Sequence, residues 1–302
     1  MHILTGKQFA DKKLLQQIFQ KAKELEQADQ AGGMPKTLAG KVIATLFYEP
    51  STRTRLSFES AAIKLGGGVI SVENALDSSS VVKGESLEDT VRMVSCYADA
   101  IVLRHPEAGT ADRAAKVSGA AIINGGDGGN EHPTQALYDL WTIQKILGRQ
   151  DNLKVIFGFD PLHSRTIRSL ARLLAIFPKN HFTFISPKIL APTADLLSEI
   201  KASGTTVEIT ESLENVGQAD VIYLNRLQEE RFENIEDFEK HRKLYTLKPE
   251  HLKNSQAIIL DPLPRIDEID MAVDALPNAR YFEQAKNGLY IRAALLLYAL
   301  GL

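Results

Sequence analysis

The sequence contains little cysteine, has little net charge and has no long apolar run. Its single cysteine, Cys96, excludes an internal disulfide and a cysteine-rich zinc site. A formal net charge of -3 gives no basis for binding nucleic acid or an acidic membrane. No apolar run is long enough to cross a bilayer, and the N-terminal residues lack the extended apolar core of a secretion signal. We therefore expect a cytoplasmic protein.

What the sequence does contain is an alternation of short β-branched runs and longer helical patterns. Its 302 residues, 44% hydrophobic and 24% charged, have the composition of a globular protein and the length for two domains. Continuous apolar strands separated by helices are typical of parallel sheets covered on both faces. The predicted strands are residues 42–48, 69–72, 100–103, 121–124, 155–159, 182–185, 207–209, 221–224 and 257–260.

This pattern predicts an α/β protein with two doubly wound parallel-sheet domains and an active-site cleft between them. The boundary is best placed at the helical pattern 133–147 and the polar residues that follow it. We expect residues 1–133 to form the first domain and residues 134–287 the second. The apolar segment 288–302 is expected to pack back on the first domain as a helix.

Six of the predicted strands are followed directly by clusters of polar residues. In open α/β sheets, ligands bind outside the carboxyl ends of the strands, where the strand order reverses. Six such coincidences indicate a binding site rather than ordinary loop polarity. The clusters are residues 51–55, 104–106, 125–135, 160–166, 225–228 and 261–265.

The first cluster, residues 51–55, reads Ser-Thr-Arg-Thr-Arg and precedes a helical pattern at 56–65 that ends at three glycines. The N–H groups at a helix start, together with the positive end of the helix dipole, attract anions. Two arginines and three hydroxyls suit a phosphate, which has several oxygens to satisfy. The alternative is an ordinary Ser/Thr helix cap followed by surface arginines. The segment by itself leaves both interpretations open.

Taken together, these motifs resemble the aspartate/ornithine carbamoyltransferase family along nearly the whole chain. Residues 51–55 with Phe58 and Glu59 resemble its phosphate-binding signature, and residues 132–135 (His-Pro-Thr-Gln) resemble its second hallmark. Residues 83–86 match a mobile loop that carries an essential lysine. Residues 160–168 are similar to the segment that reads the amino-acid substrate. The set of matches, in this order, is specific.

The resemblance implies transfer of a carbamoyl group from carbamoyl phosphate to an amine, with no metal and no organic cofactor. The carbonyl oxygen gains negative charge before phosphate leaves, so the protein must position two ligands and stabilise an anion. The carbamoyl phosphate ligands implied are Ser51, Thr52, Arg53, Thr54, Arg104, His132, Gln135, Pro262, Leu263 and Pro264. The catalytic residues implied are Arg53, Thr54, Lys83, Arg104 and His132.

Two of these residues have ordinary structural alternatives. His132 is expected to donate a hydrogen bond to the carbonyl oxygen rather than to act as a general base. A histidine before Pro133 also occurs at helix starts that have no catalytic role. Lys83 lies in a hydrophilic loop, where a solvated lysine is usual. The resemblance implies instead that Ser79 and Lys83 enter the active site of a neighbouring subunit in a homotrimer.

The residues expected to bind the amine acceptor favour aspartate over ornithine. Aspartate has two carboxylates, which two arginines can bind through paired N–H···O bonds. Arg165 and Arg226 stand at the matching places, with Gln228 and Lys83 beside them. Ornithine members usually have cysteine in a late His-Cys-Leu-Pro motif, where this chain has Asp-Pro-Leu-Pro at 261–264.

Asp261 is the main departure from the family pattern, which usually has histidine there. A carboxylate near a site for two anions weakens binding unless it points away or pairs with Arg265 or another cation. The leading hypothesis is an enzyme that carbamoylates L-aspartate in de novo pyrimidine synthesis. The alternatives are a carbamoyltransferase for another amine, such as ornithine, and a silent paralogue that only binds carbamoyl phosphate. The family also allows regulatory chains or a dihydroorotase as partners.

Overall fold

The computed structural model describes residues 1–75, 84–229, 232 and 234–302. They form two compact units, one of Met1–Tyr138 with Lys286–Leu302 and the other of Asp139–Ala285. None of the helices in these described ranges is both long enough and apolar enough to span a membrane.

The first unit contains a four-stranded parallel sheet. Its strands are β1 (Val42–Phe47), β2 (Gly68–Val72), β3 (Ala100–His105) and β4 (Ala121–Asp127). Its described helices are α1 (Lys12–Gln30), α2 (Thr52–Lys64), α3 (Leu87–Val94), α4 (Thr110–Val117) and the start of α5 (Pro133–Leu147). The strand order is β2-β1-β3-β4. The order therefore reverses between β1 and β3.

The second unit contains a five-stranded parallel sheet. Its strands are β5 (Lys154–Gly158), β6 (His181–Ile185), β7 (Thr206–Thr210), β8 (Val221–Leu224) and β9 (Ile258–Leu260). Its described helices are the rest of α5, then α6 (Arg165–Leu174), α7 (Ala194–Ala202) and α8 (Ile235–Leu244). The last helix, α9 (Tyr281–Leu300), begins in this unit and continues into the first. The order β7-β6-β5-β8-β9 reverses between β5 and β8.

The predicted fold class is confirmed: both sheets are parallel, and each of the nine predicted strands overlaps a strand in the described part of the chain. The central strands are mostly apolar because both of their faces are buried. All four residues of β8 are buried, as are five of the six residues of β1. Edge strands differ, since β2 and β7 leave side chains exposed to solvent.

The start of α2 differs from the prediction. The helical pattern was expected from residue 56, but the helix begins at Thr52 with Ser51 as its N-cap. Threonine and arginine are both acceptable in a helix, and the segment contains no glycine or proline to stop it. The Thr-Arg-Thr-Arg sequence is therefore the first helical turn rather than a loop before the helix.

Candidate active site

The polar clusters lie at the carboxyl ends of adjacent strands within each unit. In the first unit they follow β1, β3 and β4, which are neighbours in the sheet. In the second unit they follow β5, β8 and β9, which are also neighbours. The points where strand order reverses, β1/β3 and β5/β8, carry two clusters each. These are the positions at which parallel α/β sheets bind ligands.

The helix start after β1 presents backbone and side-chain donors to an anion. Ser51 is extended, with φ of -158°, and its side chain accepts no capping hydrogen bond from the described helix. The N–H groups of the first turn lie outside the helical hydrogen-bond ladder. Thr52 and Arg53 are exposed at this end. Ser51 therefore does not cap the helix with its side chain.

Thr54 and His132 come together at this helix start. The two residues are 4% and 3% exposed, and Thr54 Oγ1 lies 3.2 Å from His132 Nε2. His132 directly precedes α5, whose first residue is Pro133. The hydroxyl and the imidazole therefore form one buried polar pair at the start of α2, and the role that the resemblance implies for them stays a prediction.

Asp127 fixes the loop that presents His132. Its carboxylate accepts hydrogen bonds from Asn130 Nδ2 at 3.0 Å and from the Glu131 N–H at 3.2 Å. Gly128 has φ of 53°, and a Cβ there would lie 2.5 Å from a backbone oxygen of the loop after β3. The glycine is therefore needed for the turn to fit. The sequence analysis did not assign a role to Asp127, although its place in a glycine-rich loop was visible.

Arg104, at the end of β3, is held close to the helix start. Its Nη2 lies 2.7 Å from Glu49 Oε1, and its side chain is 12% exposed. Nη1 also donates to the Gly125 carbonyl at 3.4 Å. The guanidinium is thus oriented at the strand edge by a carboxylate and a backbone carbonyl.

Arg55 behaves differently from Arg53, although both belong to the same motif. Arg55 Nη2 lies 2.8 Å from Glu73 Oε2, and Nη1 lies 3.7 Å from Glu59 Oε1. Its charge is directed to these carboxylates. The sequence analysis considered both arginines for the phosphate, and Arg53 stays the predicted phosphate ligand.

Gln135 is oriented by a neighbouring tyrosine. Tyr138, one helical turn later in α5, donates a hydrogen bond from its hydroxyl to Gln135 Oε1. Gln135 is 4% exposed and Tyr138 is 3% exposed. A carbonyl oxygen has two lone pairs, so Oε1 can still accept a hydrogen bond from a ligand NH2 group. Tyr138 was not predicted, because nothing in the motif distinguishes it from a core residue.

Arg165 and Arg226 lie after β5 and β8, which are paired strands. Arg165 is the first residue of α6, whose N-cap Ser164 accepts from Ile167 N–H at 3.2 Å. Arg226 Nη1 donates to the Leu227 carbonyl at 3.2 Å. Both arginines are half-buried. The two cations therefore come from neighbouring loops at the strand-order reversal of the second unit.

A buried carboxyl group connects these two loops. Asp160 is fully buried, and its carboxyl contacts His163 Nδ1 at 3.0 Å and Gln228 Nε2 at 3.2 Å. Burial raises the pKa of Asp160, while the adjacent His163 lowers it in part. Asp160 thereby fixes the side chain of Gln228, a predicted aspartate ligand. The sequence analysis did not identify this role.

Asp261 does not pair with Arg265, one of the possibilities considered from the sequence. The Arg265 guanidinium binds Asp274 and donates to Tyr281 Oη at 2.8 Å. Asp261 is instead 2% exposed, and its Oδ1 accepts from the Leu263 N–H at 2.5 Å. The carboxyl thus turns into its own loop.

Ser79 and Lys83 lie outside the described residues, so their predicted roles stay predictions. A cavity of about 450 Å³ lies against β5, β6 and β7 and is lined partly by Lys154, His181 and Glu208. None of the predicted substrate ligands lines it. The candidate ligands of each unit are therefore the polar side chains at its strand ends, not the residues of this cavity.

The fold and the polar clusters together define a class: an α/β protein of two parallel-sheet units with cationic and hydroxyl side chains at the carboxyl ends of the strands. Residues 1–145 match the carbamoyl-P binding domain model of aspartate/ornithine carbamoyltransferases, and residues 151–299 match the Asp/Orn binding domain model. The chain belongs to the aspartate/ornithine carbamoyltransferase family.

Individual proteins resemble the chain over almost its full length. The aspartate carbamoyltransferase catalytic subunit of Methanocaldococcus jannaschii is 45% identical over 296 residues, covering 98% of this chain and 96% of the relative. A solved structure of the M. jannaschii aspartate transcarbamoylase catalytic subunit has a TM-score of 0.94 at 44% identity, covering 99% and 98% of the two chains. Trypanosoma cruzi aspartate transcarbamoylase in complex with carbamoyl phosphate and aspartate has a TM-score of 0.90 at 32% identity, covering 98% and 94%.

Proposed function

We propose that this chain is an aspartate carbamoyltransferase, which converts carbamoyl phosphate and L-aspartate to N-carbamoyl-L-aspartate and phosphate in de novo pyrimidine biosynthesis. The observation that carries the proposal is the helix start at residues 51–54 beside the Thr54–His132 pair. It combines donors for a phosphate with donors for a carbonyl oxygen. The similarity to named aspartate carbamoyltransferases supports the choice of reaction.

The first unit is proposed to bind carbamoyl phosphate. The phosphate takes hydrogen bonds from the α2 start, Ser51, Thr52, Arg53 and Thr54, and charge from Arg104. His132 and Thr54 donate to the carbonyl oxygen as it becomes anionic. Gln135 Oε1, held by Tyr138, accepts from the carbamoyl NH2. The backbone carbonyls of Pro262 and Leu263, with Pro264 after them, stay ligands of the carbamoyl NH2 that the family resemblance implies.

The second unit is proposed to bind aspartate. Arg165 and Arg226 each pair with a carboxylate, and Gln228, fixed by Asp160, contacts the substrate. The amine lone pair attacks the carbonyl carbon, a C–N bond forms, and the C–O bond to phosphate breaks. The departing phosphate takes the proton from the amine. The residues position the ligands and stabilise charge, and none becomes covalently attached.

We further propose a homotrimer with shared active sites, in which Ser79 and Lys83 act in the neighbouring subunit. Regulatory chains or a dihydroorotase stay predictions as partners, as does the cytoplasmic location. Both come from the sequence and the family resemblance.

An assay of the purified chain with carbamoyl phosphate and a panel of amines tests the reaction. We expect phosphate release and N-carbamoyl-aspartate with L-aspartate, and no product with ornithine. Turnover with ornithine alone would contradict the assignment of the acceptor. Binding of carbamoyl phosphate without turnover for any amine would identify a silent paralogue instead.

A further inference from the structure

Residues 3–6 lie against β4, which is an edge strand of the first sheet. The Ile3 N–H donates to the Ile122 carbonyl at 2.8 Å, and the Asn124 N–H donates to the Ile3 carbonyl at 2.8 Å. The two chains run parallel at this bridge, and Ile3 is fully buried. The segment 3–6 is therefore fixed to the sheet at the strand that leads to His132.

The side chain of Glu131 joins this segment to the loop that carries His132. Glu131 Oε2 accepts from the Thr5 hydroxyl at 2.8 Å and from the Gly6 N–H at 2.7 Å. Gly6 is the first residue of a short 3-10 helix, Gly6–Ala10, so its N–H has no acceptor within that helix. Glu131 is 6% exposed. Two donors from one segment thus hold a buried carboxyl group.

The backbone of Glu131 is tied to its own loop. Its N–H donates to Asp127 Oδ1 at 3.2 Å, and its carbonyl accepts from the Asp127 N–H at 3.3 Å. Asn124, which is 1% exposed, donates from Nδ2 to Asp127 Oδ1 at 3.1 Å and to the Leu4 carbonyl at 2.8 Å. The segment 3–6 therefore holds the loop at two points, directly through Glu131 and indirectly through Asn124 and Asp127.

His132 directly follows this anchored residue. The His132 carbonyl accepts from the N–H groups of Gln135 at 3.1 Å and Ala136 at 3.2 Å, at the start of α5. The backbone of His132 thus lies between an anchor and a helix. Its imidazole Nε2 is 3.2 Å from Thr54 Oγ1. A shift of the backbone at residue 131 would therefore move the imidazole relative to Thr54.

We propose that Glu131 is a positioning residue for His132, and that the segment 3–6 is the support through which it acts. Glu131 holds the loop and does not contact substrate. The effect on turnover rests on the proposed function, in which His132 donates to the carbonyl oxygen as it becomes anionic. Such stabilisation depends on a donor that is already in place before the reaction. The family resemblance begins at His132 and implied no role for Glu131.

Chemical labelling of His132 tests the anchoring without any substrate. Diethyl pyrocarbonate modifies accessible imidazole nitrogens, and mass spectrometry of peptides from the full chain gives the rate at each histidine. His132 is 3% exposed and should react slowly in the wild type. In Glu131→Ala it should react about tenfold faster, the change expected from one lost hydrogen bond to a charged group. The His181 side chain, 40% exposed in the other unit, should react equally in both proteins. An unchanged rate at His132 would overturn the proposal.

The transfer assay tests the consequence for catalysis. Glu131→Ala should lower kcat by about 10- to 100-fold, since a small displacement of a catalytic group has effects of this size. The KM for aspartate should stay within about twofold, because its proposed ligands lie in the second unit. Thr5→Val removes only one donor and should lower kcat by about 3- to 10-fold, whereas Thr5→Ser keeps the hydroxyl and should stay within about twofold of wild type. The double variant Thr5→Val/Glu131→Ala should be no slower than Glu131→Ala alone. Additive losses would overturn the role of the segment 3–6.

Asp11→Ala is the control for a purely structural effect. Asp11 is exposed, and its Oδ1 accepts from the Lys13 N–H at 2.9 Å as the N-cap of α1 in the same unit. Its loss should lower the free energy of unfolding and leave kcat unchanged. If Glu131→Ala also kept the wild-type kcat where it is fully folded, the positioning role would be wrong. Absence of turnover in the wild type would contradict the proposed function, and the labelling rates would still decide whether Glu131 holds His132.

Discussion

At the scale of single residues, the two arginines of the α2 start give the sharpest prediction. Arg53→Ala should weaken binding of carbamoyl phosphate by about 10- to 100-fold, since a hydrogen bond to a charged group is worth about 1.5–3 kcal/mol. Arg53 is exposed at the helix start, where the phosphate is proposed to bind. Titration calorimetry with carbamoyl phosphate measures the change.

Arg55→Ala is the matched control for this prediction. It removes the same side chain from the same helix, but Arg55 is paired with Glu73 and Glu59. Its carbamoyl phosphate affinity should stay within about twofold of wild type, with a small loss of stability of at most about 1 kcal/mol. Equal losses of affinity in both variants would contradict the assignment of Arg53 as the phosphate ligand.

The hydroxyl of Tyr138 gives a second prediction at this scale. Tyr138→Phe removes the hydrogen bond to Gln135 Oε1. A neutral hydrogen bond contributes about 0.5–1.5 kcal/mol, so kcat should fall roughly 2- to 10-fold. A double-mutant cycle with Gln135→Ala checks the mechanism, because Tyr138 is expected to act only through Gln135. Additive losses in the double variant would show that the tyrosine acts by another route.

At the scale of elements, strands could be predicted well and contacts between side chains could not. Runs of β-branched residues mark the buried strands because both faces of a parallel sheet are covered, and burial leaves a continuous apolar signal. The beginning of α2 was placed four residues late, since Thr-Arg-Thr-Arg looks polar and loop-like until Ser51 is known to be the N-cap. The partners of Arg55 and Asp261 depend on how the chain folds back on itself, which periodicity does not report.

The last helix, α9, gives a prediction at this scale. Arg292 is 2% exposed, donates from Nη1 to Ser57 Oγ at 2.6 Å, and stacks over the rings of Phe58 and Tyr138 at 5.3 and 5.0 Å. It therefore links α9 to both α2 and α5 within the first unit. Arg292→Ala should lower the free energy of unfolding by about 3 kcal/mol, from the lost hydrogen bond and cation–π contacts.

Lys286→Ala is the control on the same helix. Lys286 is exposed, and a surface substitution of this kind usually changes stability by no more than about 0.5 kcal/mol. Urea unfolding of both variants provides the comparison. If the two variants lost the same small amount of stability, Arg292 would not hold the helices together.

At the scale of the whole molecule, the sequence predicted the reaction better than it predicted the assembly of subunits. The polar clusters could be found because parallel strands put their carboxyl ends at one edge of each sheet, so order along the chain translates into proximity within a unit. A contact between subunits leaves no such periodic trace in a sequence. The trimer and the roles of Ser79 and Lys83 rest on the family resemblance, and they need a test that measures sharing itself.

Mixing two inactive variants provides that test. In the proposed trimer, each site takes Arg53 from one subunit and Lys83 from its neighbour, so every trimer that contains both Arg53→Ala and Lys83→Ala subunits has one intact site of three. Dissociating the two variants, mixing them in equal amounts and reassembling them should restore about a quarter of wild-type activity, since about three-quarters of random cyclic trimers are mixed. The double variant Arg53→Ala/Lys83→Ala, reassembled with either single variant, is the control and should stay inactive. In the mixture with Arg53→Ala no subunit has Arg53, and in the mixture with Lys83→Ala no subunit has Lys83. No complete site can therefore form in either mixture. No recovery in the first mixture, with reassembled wild-type chain fully active, would mean that each subunit carries a self-contained site.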